Sequence, residues 1–158
     1  MPPDIALDGA SRLLVVLHAA AAIVLIGSST HHALIAVGYL RGSYKIRLAR
    51  IYAATLAVAY AITMAFGLLA YPSFRYHVRG IYLDRHEHWA SNLFDIKENF
   101  AALGIPAVIA LVVMSRVLQP TSERPLVHGY VGFAILVAMI VWFDVFAGLA
   151  VTLAKGVG

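Results

Sequence analysis

The chain has 158 residues, 61% hydrophobic and only 13% charged, with a formal net charge of +4 and no cysteine. A mean hydropathy of +0.82 points to a polytopic membrane protein, because ordinary soluble domains carry about a quarter charged residues. Without cysteine, disulfide frameworks, thiolate-bound zinc, iron–sulfur clusters and thiol catalysis are excluded.

In chain order, the N-terminal stretch MPPDIALDGASR carries Asp4 and Asp8 and no basic residue before Arg12. The apolar run behind it is too long for a signal-peptide core, which predicts an uncleaved span. Four apolar runs follow, at residues 13–40, 51–71, 94–118 and 127–153. A helix crosses the ~30 Å hydrocarbon with about 20 residues, so each run suffices. None shows the period-two alternation of a barrel strand. The expected fold is an all-α integral membrane protein: one antiparallel bundle of four transmembrane helices, with a long outer-face connection over residues 72–93. The second helix is expected to end before Pro72, and Pro106 to kink the third. Ala19 to Ala22, Gly129 and Gly132 mark candidate packing seams. No internal repeat is visible.

The links set the orientation. RGSYKIRLAR holds Arg41, Lys45, Arg47 and Arg50 and no acid, and the link before the fourth run holds Arg116 and Arg124 against Glu123. The positive-inside rule puts both in the cytoplasm, and both termini on the periplasmic side of an inner membrane, with Lys155 as the one residue against it. Basic residues placed this way read as orientation, not as nucleic-acid binding. The outer segment gathers Phe74, Tyr76, His77, Tyr82, His86, His88 and Trp89. Such a segment serves as an interfacial anchor or as a lid over a site open to the outer face.

Ionisable residues inside spans are the candidates for chemistry, because burying them is costly. His18 lies about 10 Å inside the outer end of the first span, and Asp144 about 13 Å inside that end of the fourth. Glu98 opens the third span, with Asp95 and Lys97 beside it. His31 and His32 lie near the inner end of the first span and His128 at the inner start of the fourth. Asp95 and Lys97 read as solvated residues at a helix start. Asp144 has no adjacent charge in VWFDVFAG and either pairs across the bundle or keeps its proton.

Fourteen residues at ~100° each return to within about 40°, so His18 and His32 share one face of the first helix, about 21 Å apart along it. His31 points elsewhere. A histidine pair so spaced on one membrane helix resembles the arrangement in di-haem b-type cytochromes. That resemblance covers two residues. It implies haem b held by His32 with His128, and a second haem on His18 with His77, His86 or His88.

The leading expectation is therefore a b-type cytochrome or redox subunit, an oxidoreductase moving electrons between a quinone and an outer-face partner. Asp144 and Glu98 would handle its protons. An alternative is a metal- or proton-handling membrane protein built on His18, Glu98 and Asp144, ligands that suit a transition-metal ion. His32 and His128 are further candidate metal ligands. The remaining alternative is a non-catalytic subunit of a larger membrane complex or homo-oligomer, its histidines only packing and hydrogen-bonding.

Overall fold

A computed structural model describes residues 5–156 of the chain, so Asp4, counted above among the terminal acids, lies outside them. After one 3-10 turn at Asp8–Ala10 the chain forms α1 (Ser11–Leu40), α2 (Ile46–Ser73), α3 (His88–Val117) and α4 (Arg124–Gly156). The fold is an all-α antiparallel four-helix bundle, and all four helices are long and apolar enough to cross a membrane. At 1.5 Å per residue the 30 residues of α1 extend about 45 Å. The helices pack in a square, α1 on α2, α2 on α3, α3 on α4 and α4 on α1, without diagonal contact among the described residues.

Each helix turns one stripe of residues, spaced alternately by three and four, toward its neighbours. In α2 the stripe is Ala49, Ala53, Leu56, Tyr60, Thr63 and Ala70. In α3 it is Ala90, Ala101, Gly104, Val108, Leu111 and Ser115. Spacing of this kind keeps a seam on one side of a helix and gives the shallow crossings of helical bundles. Away from the seams the helices stay apolar: Ile23, Leu34, Val58, Leu103 and Met139 are all exposed. Large side chains of this type around the whole circumference suit a lipid solvent, so the chain is a multi-pass membrane protein in contact with a bilayer.

The helices outrun the apolar windows at almost every end. α2 begins at Ile46, five residues before the expected Ile51, and α3 at His88, six before Phe94. Hydropathy ends where charges begin, while backbone hydrogen bonding continues into the charged turns. Pro72 does not end α2; it lies inside it. The chain beyond it widens into a π-helix, Phe74–Leu83, followed by a single turn at Asp84–His86. A proline lacks the N–H its preceding turn requires, and a wider turn is one way the backbone adjusts. The helix breaks only at Glu87, whose φ of −134° and ψ of 60° are not helical. Most of segment 72–93, expected as a long connection, is thus helical.

That segment is tied down at the bundle end where α1 begins and α4 ends, the termini side. Asp8 accepts a 2.7 Å hydrogen bond from the Ser73 hydroxyl and stands 3.1 Å from His77 Nε2. Arg79 grips both carboxylate oxygens of Asp95 at 2.7 Å, and Ser91 donates to Asp84. Phe74 stacks on Phe94 with ring centroids 4.5 Å apart. At the opposite end the α1–α2 link closes with Ser43 N–H on the Gly38 carbonyl and Gly42 N–H on the Tyr39 carbonyl, and Gly42 takes the positive φ of 77° that this helix stop requires.

Between these ends the interior is layered. Leu25 and Val137, both buried in one apolar cluster, lie midway along α1 and α4, between His18 and His32 and between Tyr130 and Asp144 respectively. His32 and Tyr130 lie toward the link end of their helices, and His18 and Asp144 toward the termini side.

Candidate functional site

The termini-side level draws polar side chains from all four helices. His18 of α1 is half-buried, and its Nδ1–H donates to the Thr63 backbone carbonyl of α2 at 2.9 Å. A carbonyl can only accept, so this bond fixes the proton on Nδ1 and leaves Nε2 as the acceptor of the neutral ring. Gly67, one turn further along α2, makes room for the imidazole: a methyl there would stand 3.3 Å from two ring atoms. Tyr60 of α2 is buried and donates its phenol hydrogen to the Ala101 carbonyl of α3 at 2.6 Å. Gly104 leaves the space the phenol occupies.

Lys97 and Glu98 of α3 form an ion pair at 3.1 Å. Glu98 is exposed, whereas only 16% of the Lys97 side chain is. The lysine stem runs along α4, with Cε 3.7 Å from where a methyl on Gly148 would sit. Asp144 lies one turn before Gly148, and its Oδ1 is enclosed without a hydrogen bond to any described residue. The charges of Lys97 and Glu98 act on both His18 and Asp144. An enclosed, unbonded carboxylate oxygen is expensive, so its persistence marks a working group or a site that another partner completes.

Sequence reasoning misread Lys97. Its charge suggested a solvated helix start, but positions 97, 101, 104, 108 and 111 form one seam, so the lysine shares the inward face of Ala101 and Gly104. That spacing was the available signal. Asp95, by contrast, is exposed and paired with Arg79. The glycines that matter for close approach are Gly67, Gly104 and Gly148. Gly132 has nothing near it, and Gly129 lies beside only the tip of Met114.

On the link side, His32 is 1% exposed, and its Nε2 pairs with the Tyr130 hydroxyl at 3.0 Å. Its Nδ1 has the Ala49 backbone as a polar neighbour but makes no hydrogen bond of normal geometry. The side chain that meets His32 across the bundle is thus Tyr130 and not His128. Two residues along a helix turn it by ~200°, so a seam that faces Tyr130 inward sends His128 out. His128 is exposed and bonds only the Arg124 carbonyl one turn back, at 3.1 Å. His31, also exposed, bonds the Gly27 carbonyl at 2.7 Å and stacks on Tyr52. His86 bonds the Tyr82 carbonyl at 3.1 Å, and both His86 and His88 are exposed. Among the described residues no three His, Asp or Glu side chains group as metal ligands.

A groove of about 620 Å³ runs between α1 and α2, lined by residues such as Leu17, Ala20, Val58 and Phe66, and no titratable group lines it. The groove thus adds no titratable group to the two interior levels. No family model, curated protein or solved structure matches this chain.

Proposed function

We propose that this chain is a proton-handling membrane protein whose working group is Asp144, served by Glu98, Lys97 and His18. The enclosed, unbonded Oδ1 of Asp144 carries this reading. Asp144 as a whole is partly buried, and within a bilayer such a carboxyl exchanges its proton through polar neighbours rather than with bulk water. Glu98, exposed about three turns into α3, links the enclosed level to the bundle surface. His18 offers Nε2 as a second proton acceptor. With the basic links in the cytoplasm, this level lies in the outer leaflet of an inner membrane and opens to the periplasmic side.

The apolar side chains buried between the two polar levels, Leu25 on α1, Leu56 on α2 and Val137 on α4, favour one-sided exchange over a through-channel, since they offer a proton no hydrogen-bonding partner. The redox reading built on a His32–His128 haem is not carried further, because His32 is enclosed against Tyr130 while His128 is exposed. The test uses proteoliposomes with one pH dye outside and another trapped inside, and a small external acid step. Proton uptake that Asp144→Asn removes, with the inner dye unchanged, is the expected result. Equal uptake by wild type and variant overturns the proposal.

A further inference from the structure

We infer that Lys97 is a movable counter-charge that shifts between Glu98 and Asp144, and that its position governs when the Asp144 carboxyl releases its proton. The inference rests on the proton-handling reading and adds the positioning residue that couples its exposed and enclosed carboxyls.

Three features of the site point the same way. First, Lys97 Nζ holds Glu98 at 3.1 Å, an adjacent residue on its own helix, while most of the lysine is covered by the bundle. A pair between neighbours in sequence needs no such burial, since a long lysine stem can carry its charge away from the inward face. Second, the stem that brings the ammonium inward lies against α4 at Gly148, with Cε 3.7 Å from where a methyl group would be. The glycine leaves the stem lateral room. Third, Asp144 stands one turn from Gly148, about 6 Å along the same face of α4, with Oδ1 enclosed and unbonded. The ammonium itself now lies 5.2 Å from the Phe94 ring centre and on Glu98, so reaching Asp144 means swinging the stem about its seat at Gly148, one turn along α4.

The groups facing Asp144 can be named helix by helix. The Lys97 and Glu98 charges from α3 act on it, and its own charge acts on Tyr60 of α2. His18 of α1 feels the same α3 pair. Lys97 is the cation among these whose stem is seated on α4. While Asp144 carries its proton the lysine rests on Glu98. When the Asp144 O–H bond breaks and the proton leaves toward water, the new carboxylate attracts the ammonium, which gives up Glu98 and pairs with Asp144. The lysine keeps its charge throughout, and only the O–H bond at Asp144 is made or broken. Lys97 thus offsets the cost of an ionised carboxylate inside the bundle.

The test is magic-angle-spinning NMR of the full chain in bilayers, labelled at lysine nitrogen and aspartate carboxyl carbon, combined with infrared pH titration of the carboxyl stretch. The expected result is a Lys97 Nζ–Asp144 contact that grows as pH rises while the Lys97–Glu98 contact fades. Lys97→Met should shift the Asp144 titration by at least tenfold in proton concentration toward high pH, and Lys97→Arg should restore much of that shift. Gly148→Leu, which crowds the stem without removing charge, should weaken the new contact. An Asp144 that titrates identically in wild type and Lys97→Met, with no contact at any pH, overturns the inference and leaves the proton-handling reading standing. An Asp144 that does not titrate at all overturns both.

Discussion

Gly104 of α3 and Tyr60 of α2 fit as a pair: any side chain at Gly104 would collide with the Tyr60 phenol, which there donates to the Ala101 carbonyl. Gly104→Ala should therefore destabilise the bundle by about 1–3 kcal/mol, the usual cost of overpacking. Because the phenol oxygen is the atom nearest the added methyl, Tyr60→Phe in the same chain should recover part of the loss. Steric-trapping or detergent-unfolding measurements on the two single variants and the double variant read this coupling directly.

The second buried contact, His32 with Tyr130, spans α1 and α4. Hydrogen bonds between membrane helices are modest, averaging about 0.6 kcal/mol. A double-mutant cycle of His32→Phe and Tyr130→Phe should give a coupling of that order. His128→Phe should show no coupling to His32. If His128 couples to His32 and Tyr130 does not, the arrangement of this level is wrong.

Arg50 of α2 reaches the last turn of α3, donating to the Ser115 and Arg116 carbonyls at 3.2 Å each. Helix ends leave such carbonyls without intrahelical donors, and a forked guanidinium satisfies two at once. Arg50→Lys should speed amide hydrogen exchange in the turn after Ser115, since one ammonium cannot reproduce the fork. Unchanged exchange there would contradict the capping role.

At the other end of the bundle, Arg79 clamps Asp95 through two 2.7 Å bonds, and half of the Asp95 side chain is exposed. Exposed pairs contribute little, about 0–1 kcal/mol, and salt screens them. Arg79→Gln should therefore leave global stability nearly unchanged while loosening segment 74–86. Limited proteolysis of that segment, rising in the variant and in wild type at high salt, checks this.

The four spans were legible because lipid imposes a length and a composition that a sequence cannot disguise. The helix ends were not, since the criterion was apolarity and the helices run on into charged turns, as from Tyr71 through Pro72 to His86. The inward face was legible too: the same arithmetic that puts His18 and His32 on one side of α1 also puts Lys97 and Asp144 on the seams. What misled was weighing residue type over position. A lysine near a helix start suggested solvent, and two histidines at matching depth suggested a pair, although the two-residue step from His128 to Tyr130 already separates their directions. Glycine clearance lay beyond a single sequence, because it depends on which partner faces each glycine.

The most direct measurement is an infrared pH titration of the chain in lipid bilayers, wild type against Asp144→Asn. A protonated-carboxyl stretch that changes with pH in wild type and is missing from the variant is the result expected of an enclosed, working Asp144. A pH-dependent carboxyl signal identical in the two proteins would contradict it.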